Sequence, residues 1–418
     1  MEAILKNPEH PEYGTAAIPV PLSIAAEEYE ESMRRLAAMG IGDPLARDCA
    51  VEEIRDALPV FDRLKGQRVN ADELDYLGKR MESFDCNEEI QFSAMAHIMG
   101  LTAVKDLINL TFCVSDVTVI RNFSNLASEG KLHYLHIHGG ASEEELRNLD
   151  PVKLVSDLIA NSGGAVTPYG VAYHNGMVFR ELYKGSNFPA YHYTPKILSG
   201  TLSKSRQPKS ADECAALYFP MPDSVLTRTL IRAGWEESGE PLYLKLELED
   251  APAEILEVLA AEWTIDVRDG VLDELNAMCR AVDALPDSGS EKLGAAIRFA
   301  EPRDAAQIMR LAENLDLFEF VPGVATPEEY GKYIIQESGQ FAYSDALDSF
   351  YDYGKLGQER IGEDGGKFNE RGYVAYHGEL SLEELMMDDP SEPLAETAMK
   401  RRLSAAEKGV PRRKGAER

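Results

Sequence analysis

The segment 327–353, PEEYGKYIIQESGQFAYSDALDSFYDY, carries six carboxylates, Glu328, Glu329, Glu337, Asp345, Asp348 and Asp352, against one cation, Lys332. Tyrosines are interleaved throughout. Carboxylates crowded in this way suit two kinds of chemistry. A pair at the right separation performs general acid–base or glycosidase work. A row of them presents negative charge to a basic surface, as a phosphate backbone does. Like charges at helical spacing destabilise a helix by about 0.2–0.5 kcal/mol per pair, so a partner is expected to offset the repulsion.

The spacing predicts a helix over 344–357 with Ser344 as its cap. On that helix Asp345, Asp348 and Asp352 fall within an arc of about 60°, with Leu347, Phe350 and Tyr351 on the other side. The axial steps between the aspartates are roughly 4.5 and 6 Å. Phosphates on one DNA strand advance roughly 3.4 Å per nucleotide, so the scale is similar though sparser. A merely solvated helix face is the alternative reading of such a run.

Other chemistry finds less support. His133, His136 and His138 in LHYLHIHGG (132–140) are of a type that binds zinc. A period of two puts His136 and His138 on one strand face and His133 on the other, and no cysteine completes a set, so a polar strand edge is expected. Asp266, Asp269 and Asp273 have the wrong spacing for a calcium loop. No GxxxxGK[ST], GxSxG or HExxH motif occurs. The expectation is a binding protein without catalytic residues, metal or cofactor. A hydrolase with paired carboxylates ranks last, because spatial pairing is invisible in sequence.

The elements that position the acidic segment belong to a chain of 418 residues with a net charge of −29. The charge is unevenly placed. Residues 1–212 carry 21 bases and 30 acids, residues 213–399 carry 14 and 40, and residues 400–418 carry 8 and 2. Such an acidic field repels nucleic acid and membrane surfaces and attracts basic ones; a solubilising surface is the plainer reading. No run of about 18 apolar residues predicts a membrane span, and MEAILKNPEHPEYG does not read as a signal peptide. Five scattered cysteines without a CxxC pair suggest reduced thiols in a cytoplasm.

The chain repeats itself. Ile18-Pro19-Val20-Pro21 recurs as Phe219-Pro220-Met221-Pro222, and Asp72-Glu73-Leu74 as Asp273-Glu274-Leu275, both at an offset of 201. AVKDLINL (103–110) lies opposite DAAQIMRL (304–311) at the same offset, and VAYH (171–174) matches 374–377 at 203. Two diverged copies are expected, near 15–205 and 213–385, within domains 1–210 and 211–390 and followed by a basic, disordered tail 391–418. VKLVSDLIANSGGAV (152–166) resembles EEYGKYIIQESGQFA (328–342), which predicts exchanged insertions and leaves DALDSFYDY without a counterpart in the first copy.

Periodicity predicts strands at 217–222, 241–250, 317–322 and 372–380. It predicts helices at 224–233, 271–285, 291–300, 303–314 and 327–337. Thr326 is the expected N-cap of the last, with Pro327 in its first turn. The expected fold is α+β: an elongated chain of several subdomains, with small antiparallel sheets and helical bundles.

Residues 215–385 resemble the ArdA antirestriction family. The resemblance runs through LDELNAMCRAVDALP and EEYGKYIIQESG and is most specific at LDSFYDYGKLGQER, which looks like the family's antirestriction motif. Phe350, Tyr351, Asp352, Tyr353 and Gly357 match that motif. Leu356 stands where the family has a second tyrosine, and Glu359-Arg360 replaces its Arg-Asp ending. The resemblance implies an acidic DNA mimic of a conjugative or other mobile element, without enzymatic activity. It would occupy the DNA groove of a type I restriction–modification enzyme. Glu328, Glu329, Glu337, Asp345, Asp348 and Asp352 would stand in for phosphates. Leu347, Phe350, Tyr351, Tyr353 and Gly357 would pack or stiffen a dimer interface. A homodimer and a single-chain pseudo-dimer both satisfy it. The other open reading is an acidic module binding a different basic protein, such as a relaxase or histone-like protein.

Overall fold

A computed structural model describes residues 1–194, 196–235 and 240–387, with only the backbone of Leu347. The tail expected at 391–418 lies outside the described residues.

The fold is α+β and is built twice. The first unit opens with β1 (Glu2–Lys6), β2 (Thr15–Pro19), α1 (Ala26–Ala38), β3 (Cys49–Arg55) and β4 (Arg68–Val69). A helical layer follows: α2 (Ala71–Glu82), α3 (Cys86–Met99) and α4 (Val104–Leu110). A lobe closes the unit with β5 (Val117–Ile120), α5 (Leu126–His138), α6 (Glu143–Asn148), α7 (Pro151–Asn161), β6 (Ala165–Thr167) and β7 (Gly170–His174).

The second unit repeats the plan. It begins with β8 (Leu198–Ser203), β9 (Cys214–Phe219), α8 (Asp223–Arg232), β10 (Leu242–Leu248), α9 (Glu254–Leu259) and β11 (Glu262–Ile265). Its helical layer is α10 (Val271–Asp283), α11 (Gly289–Ala300) and α12 (Ala305–Glu313). Its lobe holds β12 (Phe318–Pro322), α13 (Pro327–Gln336), a 3-10 turn at Asp345–Phe350, α14 (Tyr353–Asp364), β13 (Lys367–Asn369) and β14 (Gly372–Tyr376), and α15 (Leu382–Met386) follows.

The sheet orders β2-β1-β3-β4 and β9-β8-β10-β11 are the same, as are β5-β7-β6 and β12-β14-β13. All paired strands are antiparallel. β10 shows why such strands form: Leu242, Leu244 and Leu246 are buried while Lys245 and Glu247 face water.

The topology corrects three expectations. β8 pairs with both β9 and β10, so a boundary at 210/211 would cut through one sheet, and the second unit starts at β8. β1 is likewise central in its sheet, ahead of residue 15. The VAYH match is one residue out of register: Ile120 pairs with Val171 and Val321 with Tyr373, which sets the structural offset at 202 and swaps the strand faces.

The exchanged insertions also disappear. In strand and helix order α5 corresponds to α13 and α7 to α14. Gly130 of α5 meets the Pro151 carbonyl as Gly331 of α13 meets the Tyr353 carbonyl. The 3-10 turn at 345–350 then has α6 as its counterpart. Asp150 caps α7 through the Lys153 amide, and Asp352 caps α14 through the Lys355 amide.

Each unit has a main core and each lobe a small satellite core. The cysteines are unpaired, and Cys49, Cys113 and Cys279 are buried. Among the described residues no helix is long and apolar enough to cross a membrane.

Two buried ionic clusters tie the parts together. Within unit two, the Glu254 carboxylate accepts from Arg298 Nε at 2.9 Å and from Arg371 Nε and Nη2 at 2.8 Å each. This joins α9, α11 and the β13–β14 turn. Burial opposes ionisation of Glu254, but the hydrogen bonds and charges of Arg371 and Arg298 outweigh it and hold the carboxyl at about 2.

Between units, Arg228 of α8 forms a two-pronged pair with Asp72 of α2, at 2.8 and 3.0 Å. Arg232 donates to the Pro44 carbonyl at 2.6 Å, to Asn70 Oδ1 at 3.1 Å, to the Ser186 carbonyl at 3.1 Å and to the Tyr183 hydroxyl. Asn70 in turn caps α2.

Removing one partner of a buried pair strands the other charge, at a cost of about 3–5 kcal/mol. Arg228→Met should therefore lower denaturant stability by about that amount, while exposed Arg35→Met, which loses its surface pair with Glu31, should cost less than about 1 kcal/mol. Glu254 has a depressed folded pKa. Its contribution is present above the unfolded value of about 4.3 and is lost as pH falls toward about 2. Glu254→Gln should be less stable at neutral pH, with a flatter stability profile across that acid window in urea titrations.

Candidate acidic interface

The acidic segment is held by α13 and α14, packed backbone against backbone. A Cβ on Gly331 would lie 2.0 Å from the Tyr353 carbonyl oxygen, and one on Gly357 would lie 1.8 Å from that of Pro327. Both positions therefore admit glycine alone without a shift of the main chain. Below them Tyr330 stacks on Tyr373, ring centroids 3.9 Å apart, in the satellite core with Ile334 and Val321.

α13 begins as expected. Thr326 Oγ1 accepts from the Glu329 amide at 3.2 Å, and the Glu329 carboxylate accepts from the Thr326 and Ala325 amides at 3.1 and 2.9 Å. Those bonds, Ala325's foremost, hold the Glu329 carboxyl below its usual range.

The single helix expected over 344–357 is not formed. Asp345–Phe350 is a 3-10 turn, Tyr351 is extended (φ −85°, ψ 131°), and a new helix starts at Tyr353. The physical reason is Asp352. Its carboxylate takes the Lys355 amide at 3.0 Å, so it caps a helix instead of continuing one. The common arc of Asp345, Asp348 and Asp352 is thereby lost. Asp345 and Asp348 share a side of the tighter turn, where residues three apart eclipse.

Asp348 carries a clamp that sequence reading did not supply. Its Oδ1 accepts from Tyr353 Oη at 2.5 Å, Tyr343 Oη at 3.0 Å and Gln336 Nε2 at 3.0 Å. Tyr353, Tyr343 and Gln336, in that order, hold the Asp348 carboxyl below its usual range. Three donors on one oxygen tie the turn to both helices. Gln336 and Tyr343 were missed; the only signal was the mixing of hydroxyls and carboxylates in the segment.

All six nominated carboxylates are exposed. Glu328 pairs with Lys332 at 3.2 Å, Glu329 and Asp352 serve as caps, and Asp348 serves as the clamp. Glu337 and Asp345 are left facing water with no ion pair or side-chain hydrogen bond among the described residues. Nearby Lys355 and Arg360 pair with Glu359 and Glu363.

The aromatic motif residues divide. Tyr353 and Gly357 are buried inside the lobe, Tyr351 is half-buried between Tyr343 and Tyr353, and Phe350 is 82% exposed. The side chain of Leu347 lies outside the described residues.

The histidines are placed differently from the strand expected for them. They lie on α5, which Asn125 and Gly139 delimit as N-cap and left-handed C-cap. His133 is buried against Thr118 Oγ1 at 2.6 Å, and burial lowers its pKa. Among the described residues no group of three or more His, Cys, Asp or Glu comes together as a metal would require.

Compared with protein-family models and with curated proteins, the chain matches none.

The helix contact gives a prediction in which sign, not size, decides. In an open helix Gly→Ala gains about 0.4–1 kcal/mol. Gly362 on α14 has open space around it, so Gly362→Ala should raise Tm. Gly357→Ala on the same helix should lower stability by about 1–3 kcal/mol through overpacking. Tyr353→Phe should speed amide exchange in 345–351 by about tenfold while leaving the core of α10 unchanged, measured by hydrogen exchange.

Proposed function

We propose that the second unit is an acidic decoy: a non-enzymatic binding protein that occupies a basic DNA groove in place of the phosphate backbone. The observation that carries this reading is the exposure of all six carboxylates on one lobe, held by a helix pair whose interior they do not enter. The hydrogen bonds to Glu329 and Asp348 hold both carboxyls below their usual range, so these two keep their charge while they serve as cap and clamp. Glu337 and Asp345 add charge with no ion pair or side-chain hydrogen bond among the described residues.

The motif resemblance at Phe350, Tyr351, Asp352, Tyr353 and Gly357 supplies the target. It is the DNA-binding groove of a type I restriction–modification enzyme, blocked to protect incoming mobile-element DNA. Exposed Phe350 fits a contact with that enzyme or with a second copy of the chain. The first unit has the same lobe but a milder charge, and serves as an extension that contributes less to mimicry.

The test is competition for DNA bound to a purified type I enzyme. The decoy should displace labelled DNA, and raising salt from about 50 to about 200 mM should weaken displacement by about tenfold or more. Glu337→Gln combined with Asp345→Asn should weaken it further at low salt without altering the fold. Failure of the folded chain to displace DNA from several such enzymes at low salt would overturn this target. Capture of a different basic DNA-binding protein would then identify the acidic-module alternative.

A further inference from the structure

The two units meet over a cleft of about 190 Å³. Its walls come from α2 and the segment after β2 on one side, from β9 and α8 on the other, and from a connecting strap, residues 186–194 with Lys196. An engineered apolar cavity of about 150 Å³ holds benzene, so the cleft has room for one substituted ring.

The cleft runs against the charge of the molecule. In a chain of net charge −29, it is lined by four cations, Lys79, Lys196, Arg228 and Arg232, and two carboxylates, Asp72 and Asp75. Most of these groups are already partnered. Arg228 is locked to Asp72, Arg232 is spent on carbonyls, Asn70 and Tyr183, and Lys79 pairs with Asp75 at 2.8 Å. Asp75 also accepts from the Leu22 amide at 2.8 Å.

Lys196 differs. Its half-buried ammonium donates to the Pro220 carbonyl at 2.9 Å and has no ion pair among the described residues. An ammonium has three donors, so two remain. Burial disfavours its charge and Lys79 pushes the same way, while Asp283 and Glu249 act in the opposite sense. A half-buried cation with spare donors is completed by an anion.

The walls are aromatic and already fixed. Tyr76 stacks on Phe188 at 4.6 Å and meets Tyr191 edge-on at 6.2 Å. Tyr76 donates to the Pro189 carbonyl and Tyr191 to the Lys79 carbonyl, while the Tyr218 hydroxyl accepts from the Tyr191 amide. Rings anchored at their polar ends keep their faces in place without a ligand, which reduces the ordering cost of binding. Aromatic walls favour a planar guest.

We propose that this cleft is a binding site for a small aromatic anion, a single ring bearing a carboxylate or phosphate, with the ring among Tyr76, Tyr191 and Tyr218 and the anionic group on Lys196. The site rests on the junction between the units and is independent of the decoy reading.

The test is calorimetric titration of the full chain with 4-hydroxybenzoate and with phenyl phosphate, using phenol and inorganic phosphate as half-ligands. At least one aromatic anion should bind saturably at one site per chain, and the tighter of the two assigns the head group. Phenol and inorganic phosphate should each bind at least about tenfold more weakly. Lys196→Gln should weaken binding by about tenfold, and Ile24→Trp, at the exposed rim of the cleft, should block it; melting curves check that both variants are folded. The proposal is overturned if neither aromatic anion saturates on the folded chain, if phenol binds as tightly as they do, or if both variants bind as the parent does.

Discussion

The acidic lobe depends on the contact of α13 and α14 at Gly331 and Gly357. Each glycine sits under a carbonyl of the other helix, at a separation that no side chain tolerates. Where two helices touch along their backbones, little space between them is left for side chains. Charged residues on both helices are therefore turned outward, and the lobe has only a small apolar core. In the first unit one half of this contact persists, with Gly130 under the Pro151 carbonyl. At the position equivalent to Gly357 stands Val155, fully buried in the satellite core. The two lobes thus share a plan and differ in how closely their helices approach.

A small core needs other support, and the carboxylates provide it. Glu329 and Asp352 satisfy helix N-termini that would otherwise leave amides unpaired. Asp348 gathers Gln336, Tyr343 and Tyr353 onto one oxygen. For Glu329 and Asp348 these bonds hold the carboxyl below its usual range, so structural work and negative charge reinforce one another there. This is how the lobe tolerates a density of like charge that a bare helix would not. It also separates residues that hold the surface from residues that only decorate it, which matters when binding variants are chosen.

The junction of the units follows the opposite rule. There the ions are buried, and α8 inserts two arginines into the first unit, one onto Asp72 and one among carbonyls and Asn70. Such clusters contribute less net stability than apolar packing but penalise any arrangement that leaves a charge unmatched. They fix how the second unit docks on the first, and the aromatic strap seals their edge. The cleft is the space that remains beside this latch, where Lys196 has no ion pair among the described residues.

Local chemistry made much of the fold legible. Thr326, Pro327 and Glu329 specify the start of α13 within a few residues, because capping is short-ranged. The alternating leucines of β10 and the periodic faces of α10 and α12 define those elements in the same way. The repeat at an offset of 201 was visible because it needs only comparison of the chain with itself. Other features required the tertiary structure. Asp352 could continue a helix or cap one, and the packed structure shows it as a cap, which dissolved the aspartate arc. The partners of Asp348 lie 5 to 12 residues away in sequence, and those of Arg228 and Arg232 include residues 156 and 162 positions away. Carboxylate identity and charge are local properties and can be read from the chain. Which carboxylates are bound into the protein and which remain free for a partner is a property of three-dimensional proximity, and only the packed structure decides it.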